Sequence, residues 1–270
     1  MDKKFLSPKS DLIFKLLFGD ERSNEILTAF LKAVLRLPKE DYDEVIIVNP
    51  FLLQEYDGDK LGILDVKVKT KSKKVIDIEI QVKPTTEMKE RVLFYSSKMI
   101  TEQVGTGGKF QKIKRVISII ITDYALIAES EKYHHRFTLY DYENNVEFTD
   151  IIEVNTLELT KVPQTEDGTE LWNWLKFLSA EREEDLDMIA EKSPQVKKAV
   201  VRLMELSKDE KTRMMYESRQ KLEWDYQARE RAAVVAIAKN LLAMNIPVDN
   251  IISATGLTSD EIYELQNADY

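Results

Sequence analysis

Two carboxylates in the segment GILDVKVKTKSKKVIDIEIQVKP, Asp65 and Glu79, are spaced to face one another across a β-hairpin. On a first strand Leu64, Val66 and Val68 alternate with Asp65, Lys67 and Lys69. On a second, Ile76, Ile78, Ile80 and Val82 alternate with Asp77, Glu79, Gln81 and Lys83. A turn centred on Ser72 sets Asp65 opposite Glu79 and Lys67 opposite Asp77, and it matches Val68 with Ile76, Val66 with Ile78 and Leu64 with Ile80. Opposed β-carbons lie about 5 Å apart, where two carboxylates repel and weaken the hairpin. A hard divalent cation between them converts that repulsion into ligation. Mg²⁺ takes one or two carboxylates and keeps several waters, one of which can serve as a nucleophile. Gln81, on the same face, can orient a water or a substrate oxygen, but it can neither take up a proton nor supply a positive charge. Lys83 continues that face just before Pro84. The competing reading is an ordinary solvated sheet face on which Lys67, Lys69 and Lys83 balance the acids. A one-residue slip of register removes the Asp65–Glu79 opposition.

The rest of the chain offers little other chemistry. It has 270 residues and no cysteine, which removes disulfides, thiolate nucleophiles and cysteine-bound metals. The two histidines, His134 and His135, are adjacent, so a multi-histidine metal site is excluded within one chain, and a Ser-His-Asp triad would have to use one of this pair. No apolar run reaches the roughly 20 residues of a membrane span. The lysines of MDKKFLSPKSD are followed by no apolar stretch, so a soluble, cytoplasmic protein is expected, without membrane association. The net charge of -9 is unevenly spread: residues 1–115 carry 22 Lys and Arg against 18 Asp and Glu, the remainder 17 against 30. The N-terminal part can meet a polyanion; the C-terminal part as a whole is poorly suited to one.

The elements that must position the hairpin follow from periodicity. Ser10 caps a helix over DLIFKLLF, a second helix covers NEILTAFLKAVLRL up to Pro38, and DEVIIVNPF reads as a strand. After the hairpin comes a helix from about Glu87 to Val104, then the nearly all-apolar and hence central strand RVISIIITDY, then a further hairpin turning at Glu143–Asn145. The order α-α-β-β-β-α-β-β-β predicts an α/β fold, a mixed sheet with helices on its faces. PQTEDG marks a boundary near Pro163–Gly168, giving a first domain over 1–163 and an all-helical region over 164–270. The latter ends in a helix-turn-helix-like element, IISATGLTSDEIYEL, in which Thr258 and Glu261 form a capping box. Its second helix carries Asp260, Glu261 and Glu264, which favours a structural or self-association role over DNA binding. The long charged helix before it could mediate a homodimer.

Lys60, Lys67, Lys69, Lys71, Lys73 and Lys74 concentrate around the hairpin, and Lys109, Lys112, Lys114 and Arg115 follow the next helix. With Lys15 and Lys83 they are candidate phosphate contacts; solubility of a hairpin tip explains Lys71–Lys74 equally well. GTGGKF (Gly105–Phe110) lacks the P-loop spacing and reads as a helix-ending turn. The His134–His135 pair opens a strand and reads as surface or edge. Trp172, Trp174 and Trp224 read as packing anchors, as do Phe14 and Tyr95.

LSPKSDLIFKLLFGDE, ILDVKV and IDIEIQ, in that order, resemble the Rpn family of recombination-promoting nucleases, also described as transposases of the PD-(D/E)XK superfamily. The resemblance spans most of residues 5–125. It implies a restriction-endonuclease-like core and metal-dependent DNA endonuclease activity linked to recombination or transposition, with Mg²⁺ as cofactor (Mn²⁺ or Ca²⁺ substituting) and DNA as partner. By motif position Asp65 corresponds to the first active-site acid and Glu79 to the second. Asp11 matches an acidic position that can join the metal site. Gln81 stands where many members carry lysine, and Leu64 where proline is common. Gln81 agrees with the ExQ form of the subfamily and leaves open how the attacking water is activated. The alternatives are a catalytically weakened DNA-binding or regulatory relative, or a protein-interaction module using the acidic helical half.

Overall fold

The computed structural model describes residues 5–50, 64–104 and 108–267. They form two compact units, Met1–Glu210 and Lys211–Tyr270. In the first, two helices, α1 (Asp11–Phe18) and α2 (Asn24–Val34), lead to the strands β1 (Val45–Val48), β2 (Val66–Thr70) and β3 (Val75–Gln81). Helix α3 (Met88–Thr101) and strands β4 (Val116–Thr122), β5 (His134–Asp141) and β6 (Val146–Glu158) follow, then α4 (Glu170–Leu178), α5 (Glu183–Lys192) and α6 (Pro194–Lys208). The second unit consists of α7 (Glu210–Ala243) from Lys211 onward, α8 (Val248–Thr255) and α9 (Ser259–Asn267).

The six strands make one mixed sheet in the order β1-β2-β3-β4-β6-β5. β3, β4 and β6 run parallel; the other neighbours pair antiparallel. β4, VISIIIT, is buried at every position, as a central strand covered on both faces must be. The expected hairpin register holds: Val66 pairs with Ile78, Lys67 with Asp77 and Val68 with Ile76. It holds because Val66, Val68, Ile76 and Ile78 must share the core face. The ladder begins at Val66, and Leu64, expected opposite Ile80, packs with Val75, Met99 and Val116. The second hairpin also turns where expected, with Asn145 at φ 57° and the Asp141 carboxylate accepting the Glu143 and Asn144 N–H groups.

Helix α1 starts at the expected cap, the Ser10 hydroxyl accepting the Ile13 N–H, and buries Leu12, Ile13, Phe14, Leu17 and Phe18. Phe14, Phe18, Phe30, Trp174 and Phe177 form one aromatic cluster with neighbouring ring centroids 4.7–6.1 Å apart. That cluster draws α4 onto α1 and α2, so α4, α5 and α6 complete the sheet-bearing unit. The packing divides at Glu210/Lys211, and Pro163–Gly168 lies within the first unit. Trp172 and Trp174 are buried anchors as expected; Trp224, read as one too, is exposed. In the second unit Ala238, Ile251, Leu257 and Ile262 close a small core around the end of α7. Gly256 takes the left-handed φ of 69° that ends α8, and the Thr258–Glu261 capping box forms.

Candidate active site

Polar alternation on β2 and β3 was compatible with a solvated face, yet this face is covered. β3 is buried from Val75 through Ile80, including Asp77 and Glu79 at 2% exposure each. The cover is α3, which sets Met88 and Val92 against Ile120 and the Ser96 hydroxyl 2.9 Å from that of Ser118. A charged strand face under a helix must find partners or change protonation.

Asp65 lies just ahead of β2 with its side chain 14% exposed. Its carboxylate ties two elements to the strand: Oδ2 accepts the Ile80 N–H at 3.0 Å and Oδ1 lies 2.9 Å from Lys15 Nζ of α1. Glu79 points beneath α3, where Arg91 Nη2 donates to its Oε2 at 3.3 Å. Its Oε1 is buried and has no hydrogen-bond partner among the described residues. Burial pushes the Glu79 carboxyl up to about 7 from its ordinary 4.5; the Arg91 charge opposes this, the Asp65 charge adds to it, and Lys15 opposes it. Asp65, Glu79 and Lys15 therefore lie within one electrostatic neighbourhood. Asp77 is displaced well upward by burial and by the charges of Glu79 and Asp65. It was not singled out from the sequence as a site residue, because the helix that buries it cannot be placed from strand alternation. Arg91 was missed for the same reason.

The other candidates divide. Gln81 ends β3, half-buried, on the strand face shared by Asp77 and Glu79. Asp11 sits in the first turn of α1, its side chain 52% exposed and 4.0 Å from Lys15 Nζ, so Lys15 links it to Asp65. Lys67 stands opposite Asp77 as expected, but its charge is taken by Glu102, which caps the end of α3, at 2.8 Å. Lys67 is buried there, which removes it as a phosphate contact. Lys69, Lys83, Lys109 and Lys112 are exposed. Lys71 pairs with Asp43 at 3.1 Å and Lys74 with the buried Asp41 at 2.6 Å. Arg115 pairs with Asp150 and Glu153. Lys60 and part of the GTGGKF turn lie outside the described residues. Among the described residues no three His, Asp or Glu side chains are grouped as a metal site. The donor set that fits a hard cation is two carboxylates, Asp65 and Glu79, with the Gln81 amide. Mg²⁺, which keeps most of its waters, asks for no more than that. The unpartnered buried Oε1 of Glu79 is the atom a cation would satisfy.

A mixed six-stranded sheet flanked by helices is consistent with a PD-(D/E)XK nuclease fold. The chain matches the model of the PD-(D/E)XK nuclease family transposases over residues 8–233 and belongs to that family. No curated protein and no solved structure matches it. No helix among the described residues is long and apolar enough to cross a membrane.

Proposed function

We propose that the protein is a Mg²⁺-dependent DNA endonuclease of the Rpn type, acting from the cytoplasm in recombination or transposition. The observation that carries this reading is the placing of the two acids: Asp65 Oδ2 accepts the N–H of Ile80, the residue after Glu79, and Glu79 Oε1 is buried without a hydrogen-bond partner among the described residues. Two adjacent carboxylates, one of them raised to about 7 by burial, are costly to keep ionised unless a cation is bound. In this reading Asp65 and Glu79 would hold the ion, and the chemistry supplied there would be polarisation of a phosphoryl oxygen and activation of a water.

This chain's own residues do the rest. The Ile80 N–H fixes the Asp65 carboxylate, and Arg91 fixes that of Glu79. Gln81 orients the attacking water or a phosphoryl oxygen through its amide. Because Gln81 carries no charge, the cation that the superfamily places at that position is supplied by Lys15, reaching in from α1. Lys15 stabilises negative charge building on the phosphate. Exposed Lys69, Lys83, Lys109 and Lys112 serve as backbone contacts, and a homodimer through the C-terminal helices would pair two sites.

The test is nicking of supercoiled plasmid with Mg²⁺ or Mn²⁺. Asp65→Ala and Glu79→Ala should each abolish cleavage or lower its rate sharply, because each removes a ligand of the ion. Cleavage that survives both substitutions rejects the site. DNA binding without cleavage under either cation assigns the protein to the regulatory alternative.

A further inference from the structure

The face of the sheet that carries Glu79 does not end there. In register, Glu79 pairs with Ile120, Ile120 with Thr156, and Thr156 with His135, so these four residues form one row across β3, β4, β6 and β5. Beside that row a cavity of about 290 Å³ opens between α3 and the far strands, with Val92, Ile120, Leu126, Phe137, Val154 and Thr156 among its lining residues. Its walls are almost wholly apolar; Lys89 at the rim and Thr156 are the polar exceptions. Thr156 is 3% exposed, and its hydroxyl has no hydrogen-bond partner among the described residues. The same holds for both ring nitrogens of His135, whose ring stacks on Phe137 with centroids 6.0 Å apart and an interplanar angle of 22°. Glu158 Oε1, 3.6 Å from His135 Nδ1 and beyond hydrogen-bond reach, is also unpartnered. Buried donors and acceptors are rarely left without partners; of these residues Thr156 lines the cavity, and His135 is its neighbour on β5.

Flat apolar walls, an aromatic ring partly open to solvent and a few polar atoms are the requirements of a planar heterocycle with a hydrogen-bonding edge. The volume suits one such ring system. Thr156 lies two strands from Glu79, roughly 10 Å at the usual strand spacing, so the cavity is within reach of a nucleotide near the phosphate the acids would address. Lys89, on the cavity's rim, supplies a cation for the strand's backbone. We propose that this cavity receives one unstacked nucleobase beside the cleaved phosphodiester, so that strands with a single-stranded or mismatched position are preferred to perfect duplex. The proposal rests on the nuclease reading above for its substrate and names the form of nucleic acid that the site takes.

The experiment uses the full chain with Ca²⁺ and fluorescence anisotropy. It compares a short single-stranded DNA with the same strand carrying abasic positions. The intact strand should bind about tenfold tighter, the contribution of one stacked base. Phe137→Ala and Thr156→Val should each bring that ratio toward one. Thr156→Val keeps the shape and removes an unpartnered hydroxyl, so its melting temperature should hold or rise; loss of base discrimination with an intact fold then supports the pocket. Equal binding of intact and abasic strands by the wild type, or an unchanged ratio in both variants, overturns it. Plasmid nicking run in parallel separates the two readings. Nicking that depends on Asp65, without base discrimination, overturns the pocket and leaves the nuclease. Base discrimination without nicking supports the pocket and overturns the nuclease.

Discussion

Lys15 Nζ lies 2.9 Å from Asp65 Oδ1, so the first helix places a cation on the acid at the entrance to β2. The contact gives the SDLIFKLLFG segment a role beyond packing: Phe14 fills the core at 0% exposure while the next residue turns to the acids. If Lys15 supplies the charge that Gln81 lacks, Lys15→Met should lower the rate of plasmid nicking about 100-fold, in the range found for loss of one electrostatic contact to a developing charge. Lys15→Arg should recover part of the rate. Binding of Mg²⁺ should not weaken in Lys15→Met, since the competing ammonium beside Asp65 is gone. A variant as active as the wild type would return the role to Gln81.

The upward displacement of Glu79 fixes the sign of a stability profile. Its folded value of about 7 exceeds the ordinary 4.5, so the folded state holds this proton more tightly than the unfolded chain. The stabilisation is complete below about pH 4.5 and is lost as pH rises through about 7. Asp77, also displaced upward, acts with the same sign. Without divalent cations, the melting temperature should therefore fall between about pH 5 and pH 8. Glu79→Gln, which mimics the protonated carboxyl, should flatten the profile. Added Mg²⁺ should raise the melting temperature most at pH 8, because a ligand that binds only the native state stabilises it. Thermal melts across that range, wild type against variant, check both parts.

How far the sequence carried these conclusions depends on the range of the interactions concerned. The hairpin register was legible, because alternation about Ser72 is a local pattern with one solution that buries Val66, Val68, Ile76 and Ile78. The core role of Phe14 and the Thr258–Glu261 box were legible for the same reason. The environment of the acids was not. Whether Lys67, Asp77 and Glu79 face water or a helix depends on where α3 lands, and that is set by Met88, Val92 and Met99 meeting residues far away in the chain. The attachment of α4–α6 to the sheet unit was hidden likewise, since Trp174 meets Phe18 and Phe30 only in three dimensions.

Gly19, which closes α1, leaves no space for a side chain. A Cβ built there would stand 2.8 Å from the Lys15 carbonyl oxygen and 3.4 Å from Val66 Cγ2. The first atom is helix backbone and cannot turn aside. Gly19→Ala should therefore push the end of α1 from β2 and cost about 1–3 kcal/mol, the usual range for overpacking. The same displacement acts on the segment that carries Lys15, so nicking should fall by more than the loss of stability explains at temperatures where the variant remains folded. Urea unfolding and plasmid nicking on one preparation measure the two effects separately.

The lysine-rich hairpin tip is held by a buried acid. Asp41, 2% exposed, accepts from the Thr70 hydroxyl at 3.0 Å, from the Ser72 N–H at 3.2 Å, from the Ser72 hydroxyl and from Lys74 Nζ at 2.6 Å. Burial acts to raise its carboxyl, but the bonds from Lys74, Ser72 and Thr70 prevail and hold it below the ordinary range. Lys74 is thus tied to the protein, whereas Lys69 remains open to solvent. Asp41→Ala should destabilise the fold by about 2–3 kcal/mol through the loss of several bonds to one charged group. Lys74→Ala should cost stability while leaving the salt dependence of DNA binding nearly unaltered. Lys69→Ala should do the reverse, reducing the slope of log K against log salt by about one. Equal changes of slope in the two lysine variants would show that the tip lies against the DNA as a whole and that the ion pair with Asp41 opens on binding.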